Sequence, residues 1–104
     1  MMEVDNLEQK DPFQIETVDE FNLMQKQSEY IVLYGDFKTC FWTKKAVEVL
    51  DNAKQVYYKI DYLSEAGKLN EINVWPIIRK MKKDIVIYEI IGYPESLEVL
   101  KFLK

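Results

Sequence analysis

Tyr30-Ile31-Val32-Leu33-Tyr34 is a run of five large, mainly apolar side chains with no polar residue between them. Successive side chains of a strand point to opposite faces of the sheet, so such a run needs cover on both sides. This predicts a central strand with a layer packed on each face. The flanking patterns supply the layers. Thr17-Val18-Asp19-Glu20 has capping-box form, and Val18, Phe21 and Met24 mark one apolar helical face that runs to about Ser28. After Cys40, the residues Ala46, Val47, Val49 and Leu50 give a second helix that ends at Asp51-Asn52.

The rest of the chain continues the alternation. Phe13-Gln14-Ile15-Glu16 predicts a short edge strand, Gln55 to Ile60 a further strand, and Asp61 to Glu71 a short helix weakened by Gly67. Trp75-Pro76 leads into a strand over Ile77–Met81, and Lys82-Lys83-Asp84 turns it back into Ile85–Ile91. Strands this close form an antiparallel hairpin. Gly92 breaks the last strand, and Pro94 suits the first turn of a final helix with Leu97, Leu100 and Phe102 or Leu103 turned inward. The order is β-α-β-α-β-α-β-β-α. Helices between the early strands require crossover connections, and the hairpin adds antiparallel edges. The fold class is an α/β sandwich with a mixed central sheet of about five strands and about four helices.

A length of 104 residues suffices for one compact domain. Residues 1–12 read as a polar, acidic lead-in that ends at Asp11-Pro12, and residues 13–104 as the domain. Glu3, Asp5, Glu8, Asp11, Glu16, Asp19, Glu20 and Glu29 all precede the apolar run, beside only Lys10 and Lys26, so the net charge of −4 originates there. The remainder is mildly basic. Its densest run, Arg79-Lys80-Met81-Lys82-Lys83, fits a solvated strand end better than a nucleic-acid footprint. No apolar stretch approaches the ~20 residues that cross a bilayer, and Met1-Met2-Glu3-Val4-Asp5 has no signal-peptide character. The expectation is a cytoplasmic protein with no nucleic-acid or membrane partner, monomeric or weakly dimeric.

One cysteine and no histidine exclude an internal disulfide, a Cys/His zinc site and any histidine-activated nucleophile. No acidic loop has calcium-ligand spacing, so no metal is expected. What remains is Cys40, placed where the strand pattern gives way to a helical one. Unpaired N–H groups and the positive dipole end of a helix start favour thiolate over thiol, and Lys38, Lys44 and Lys45 would add to this if they point its way. The competing reading is a buried, inert cysteine acting as a small hydrophobe. Asp36 in the loop before Cys40 and Asp61 at a strand end read first as solvated loop and strand-end groups, and second as acid–base assistants to the thiol.

This order of elements, with Cys40-Phe41-Trp42-Thr43 after the central strand, Lys44 behind it, Val74-Trp75-Pro76-Ile77 before the hairpin and Gly92 at the close of the last strand, resembles the thioredoxin family over residues 13–104. Glutaredoxins share much of it, and the strand and helix ahead of Tyr30 favour the thioredoxin-like branch. The family carries C-x-x-C where this chain has C-x-x-T, so Thr43 stands in place of the resolving cysteine. Phe41-Trp42 replaces the usual Gly-Pro, Thr39 the usual tryptophan, and the buried acid of thioredoxins falls near Leu33 or Tyr34. Trp75 is large for the residue before the family's cis-proline.

The resemblance implies a thiol–disulfide oxidoreductase of monothiol type. Cys40 would form mixed disulfides with protein or peptide thiols, and Thr43 would stabilise the thiolate. Trp42, Trp75, Pro76, Gly92 and Tyr93 would form the substrate groove, with Pro76 in the cis form. No cofactor is implied beyond glutathione or another low-molecular-weight thiol as co-substrate, because a hydroxyl at position 43 cannot resolve a mixed disulfide. Two other readings stand beside it. The first is a redox-inactive binding module that uses Phe41, Trp42, Trp75 and Tyr93, unless those rings are core. The second is a dimer that bridges an iron–sulfur cluster through Cys40 and an added thiol.

Overall fold

The computed structural model describes residues 11–92. The elements are α1 (Val18–Met24), β1 (Tyr30–Gly35), α2 (Phe41–Asn52), β2 (Tyr58–Asp61), α3 (Glu65–Leu69), β3 (Ile77–Lys82) and β4 (Ile85–Ile91). The four strands form one sheet in the order β2-β1-β3-β4. β1 runs parallel to β2 and antiparallel to β3, and β3 and β4 form the hairpin, with a register shift at Lys80/Met81. The first ten residues of the lead-in, Tyr93 and the final helix expected from Pro94 onward lie outside the described residues.

β1 is buried along its whole length, as its unbroken apolar run requires. Its side chains divide between two cores. On one face Tyr30, Val32 and Tyr34 pack with Phe21 and Met24 of α1, Ala66 of α3, and Ile60, Ile77 and Met81. On the other, Ile31 and Leu33 meet Ala46 and Leu50 of α2, with Tyr57, Ile78 and Ile90. Burying each of these large side chains stabilises the fold by about 1.5–3 kcal/mol before chain entropy is subtracted.

Local chemistry sets the ends of α1. The Thr17 hydroxyl accepts from the Glu20 N–H at 3.1 Å, and the Glu20 carboxylate accepts from the Thr17 N–H at 3.1 Å, which closes the capping box. α1 is also tied to α3, because the Glu65 carboxylate accepts from the Val18 N–H at 2.8 Å and the Ala66 N–H donates to the Glu16 carbonyl at 2.9 Å.

Four boundaries differ from the sequence expectation. α1 ends at Met24, short of Ser28, because the chain turns at Gln25, whose N–H donates to the Leu23 and Phe21 carbonyls. Phe13–Glu16 adds no full strand, only a parallel bridge of Gln14 to Lys59 on the outer side of β2. Asp11-Pro12 immediately precedes it, and a few residues cannot extend the ladder further. β2 begins at Tyr58, not Gln55, because the Gln55 N–H turns back to the Leu50 carbonyl at 3.1 Å and Val56 points into solvent. α3 is confined to Glu65–Leu69 because Asp61 and Ser64 spend their polar groups on the preceding turn, where Ser64 caps the helix through the Gly67 N–H at 3.0 Å.

Tyrosines of the two cores give the fold an alkaline limit. Burial pushes the Tyr30 hydroxyl up to about 12, and it donates to the Lys83 carbonyl across the sheet. Tyr34 and Tyr57 are also raised, chiefly by burial. A folded-state value above the unfolded one means the native state holds its protons more tightly. This stability is complete below the unfolded value near 10 and is lost as pH climbs from there toward 12. Thermal melts across pH 8–12 should therefore fall steeply above about pH 10; a flat profile would refute the assignment.

Candidate functional site

The end of the sheet where β1 stops is where the candidate residues meet. Gly35 is the last residue of β1, and the parallel register places Asp61 beside it. Tyr34 pairs with Ile77, which brings Pro76, the preceding residue, to the same end. Ile91 pairs with Ile77, and the Gly92 N–H donates to the Pro76 carbonyl at 2.8 Å. Gly92 has φ of +87°, a conformation that disfavours any side chain, so a glycine is required where β4 leaves the sheet. The Trp75–Pro76 peptide bond is cis.

From Gly35 the chain makes one tight loop into α2. Asp36 organises it. Its carboxylate accepts from the N–H groups of Lys38 and Thr39, both at 3.1 Å, and from the Thr39 hydroxyl, and these bonds hold its own carboxyl below the usual range. Asp61 ties the neighbouring turn to this loop by accepting from the Phe37 N–H at 3.3 Å and the Leu63 N–H at 3.0 Å. Both carboxylates are thus occupied as turn-forming acceptors.

Cys40 is the residue that starts α2, with extended backbone and a partly exposed side chain. Its thiol is lowered from the ordinary value. Partial burial opposes ionisation, but the Thr43 hydroxyl and the N–H groups of Thr43 and Trp42 together outweigh it, while Asp36 opposes weakly. Lysine charge is not among the main causes. Lys45 pairs with Glu48 at 2.9 Å, and the charge of Lys44 acts on Asp36 instead. The thiolate-favouring field is a helix-start and hydroxyl effect.

Thr43 is fully buried behind the sulfur. Its hydroxyl oxygen accepts from the Asp36 N–H at 3.2 Å. With that lone pair engaged, the hydroxyl proton is free to point at Cys40, which is the interaction that favours the thiolate. The same side chain fills the space beside Gly35, where an added Cβ would lie 2.5 Å from the Thr43 methyl carbon.

The aromatic residues divide into two groups. Phe41 and Trp42 are exposed on the first turn of α2 and meet edge to face at 4.9 Å. Trp75 is half-buried and stacks on Tyr62, with ring centroids 4.2 Å apart and planes 27° from parallel. Sequence reasoning misses Tyr62, because no helical or strand period marks it. Its only clue is its position one residue beyond β2. Among the described residues no cluster of three or more Cys, Asp or Glu side chains could hold a metal ion, and no helix is long and apolar enough to cross a membrane.

No protein-family model matches the sequence, and no curated protein does. Solved structures do. The chain is similar to a thioredoxin of Malassezia sympodialis, with TM-score 0.71 and 15% identity over 86% of this chain and 85% of that one. It is similar to Plasmodium falciparum thioredoxin, with TM-score 0.69 and 21% identity over 86% and 93% of the two chains. Thioredoxin f of spinach chloroplast gives TM-score 0.67 and 19% identity over 86% and 81%. At such low identity, what is shared is the path of the backbone, and this chain has the thioredoxin fold.

Proposed function

We propose that the protein is a thioredoxin-like monothiol redox protein in which Cys40 forms mixed disulfides with protein or low-molecular-weight thiols. The observation that carries this reading is the partly exposed Cys40 at the start of α2, with its thiol lowered by Thr43 and the helix amides. The Cys40 thiolate attacks one sulfur of a substrate disulfide, forms a Cys40–substrate disulfide and expels the other sulfur as a thiolate. The buried Thr43 hydroxyl is no nucleophile for the second step. An external thiol such as glutathione completes it. One thiolate attacks the mixed disulfide and a second releases Cys40, so two thiols are oxidised to one disulfide as the substrate disulfide is reduced to two thiols. A reducing cytoplasm would supply that thiol. The Trp75–Pro76 turn and Gly92 would orient the substrate chain beside the sulfur.

The rate of Cys40 alkylation by iodoacetamide, followed against pH, tests the reading. The thiolate is the reacting form, so a lowered thiol shifts the midpoint below ~8.5 and sustains reaction at neutral pH. Mass spectrometry should also find a Cys40 mixed disulfide after treatment with oxidised glutathione, and none in Cys40→Ser. A midpoint at or above the ordinary thiol value, with no adduct, would overturn it. A second reading draws on the exposure of Phe41 and Trp42: a redox-inactive module that binds protein through the Trp42/Trp75/Pro76 groove. Partner binding that survives Cys40→Ser without any trapped disulfide would favour that module.

A further inference from the structure

We infer that Tyr62 is a positioning residue for the substrate side of the site, holding Trp75 in place through the stacked pair; this rests on the monothiol reading above. Among the described residues, few backbone hydrogen bonds hold the connection from α3 to β3. Among these same residues, its backbone hydrogen bonds run as far as the Ile72 N–H, which donates to the Gly67 carbonyl, and resume at the Pro76 carbonyl. Trp75 lies in the gap, and the Tyr62 ring supports it at 4.2 Å.

Tyr62 is itself firmly placed. Its N–H donates to the Gly35 carbonyl at 2.9 Å, and the turn that carries it is fixed by the Asp61 carboxylate and by Gly67, which packs directly on the Asp61 and Tyr62 carbonyls. Gly35 in turn touches the side chain of Thr43, the residue that faces the sulfur. A continuous set of contacts therefore runs from Thr43 through Gly35 and Tyr62 to Trp75. It joins the half of the site that carries the thiol to the half that would meet the substrate. The Tyr62 hydroxyl makes no hydrogen bond among the described residues, so the ring, not the hydroxyl, is the working part.

The test is single-turnover exchange with a cysteine peptide carrying a thionitrobenzoate disulfide. Cys40 attacks the peptide sulfur, the peptide becomes disulfide-bonded to Cys40, and thionitrobenzoate leaves as a coloured thiolate. Tyr62→Ala should raise the half-saturating peptide concentration about tenfold while the limiting rate stays within about twofold, the pattern of lost binding rather than lost chemistry. Its alkylation midpoint and its rate with the small reagent dithiobis-nitrobenzoate should match the wild type, and Tyr62→Phe should restore peptide saturation. Circular dichroism melts confirm that each variant is folded. An unchanged half-saturating concentration in Tyr62→Ala, or a rise shared by Tyr62→Phe, overturns the inference while the monothiol reading stands. An equal loss with peptide and small reagent, with a shifted alkylation midpoint, also overturns it, because Tyr62 would then act on Cys40. No thionitrobenzoate release by the wild type overturns both.

Discussion

Gly67→Ala is expected to destabilise the protein even though alanine is the better helix former. Gly67 is the middle residue of α3, and propensity alone would reward alanine by about 1 kcal/mol there. Packing reverses the sign. A Cβ at this position would lie 2.2 Å from the Asp61 carbonyl oxygen and 2.8 Å from that of Tyr62. Both obstacles are backbone, so no rotamer change relieves them, and α3 or the Asp61–Ser64 turn must move. Overpacking of this kind costs about 3 kcal/mol, which leaves a net loss of about 2 kcal/mol and a melting point lowered by roughly 10 °C. A thermal melt of Gly67→Ala beside the wild type measures it. An unchanged or higher melting point would mean that α3 swings outward at little cost.

Thr43→Cys should convert the chemistry of the site. The substitution places a second sulfur where a hydroxyl now faces Cys40, in the fully buried pocket beside Gly35. It gives up the acceptor for the Asp36 N–H, at a cost of about 1 kcal/mol. Against that modest loss stands a qualitative gain. A thiol held three residues from a mixed disulfide attacks it intramolecularly, at an effective concentration far above any added thiol; well-oriented pairs reach about 10⁵ M or more. Under the proposed chemistry, release of a trapped peptide by the wild type should scale with added glutathione. Release by Thr43→Cys should proceed without it, leaving an internal disulfide between Cys40 and the introduced sulfur, which mass spectrometry reads as the loss of two hydrogens. Release that still follows glutathione would show that the pocket holds the two sulfurs apart.

The parts of the fold that were legible in the sequence are those set by strong local chemistry. The apolar run of β1, the Thr17 capping box and the hairpin over β3 and β4 each depend on residues within a few positions of one another. The misplaced boundaries depend on hydrogen bonds that no sequence period marks. β2 begins late because α2 ends in a backward hydrogen bond, and α3 is short because Asp61 is engaged with Phe37, 24 positions away. The candidate site followed the same division. The sequence located Cys40 at the start of α2 and Thr43 behind it. It assigned the lowered thiol partly to lysines, whose side chains are long enough to point elsewhere, and Lys45 turns to Glu48. Gly67 read as a weak point of its helix, whereas its lack of a side chain is what lets the turn beneath it close. Tyr62 carries no pattern of its own, and only the meeting of β2 with the Trp75 turn gives it a role.

The burial of Thr43 has a kinetic consequence under the monothiol reading. With no thiol behind Cys40, a captured partner stays attached until something outside the protein frees it. The lifetime of the covalent complex is then set by the surrounding thiol concentration rather than by the protein's own geometry. In a thiol-rich solution the protein would turn over, and as thiols are depleted it would hold its partners for longer. One hydroxyl in a closed pocket would make the length of each encounter report the reducing power of the solution around it.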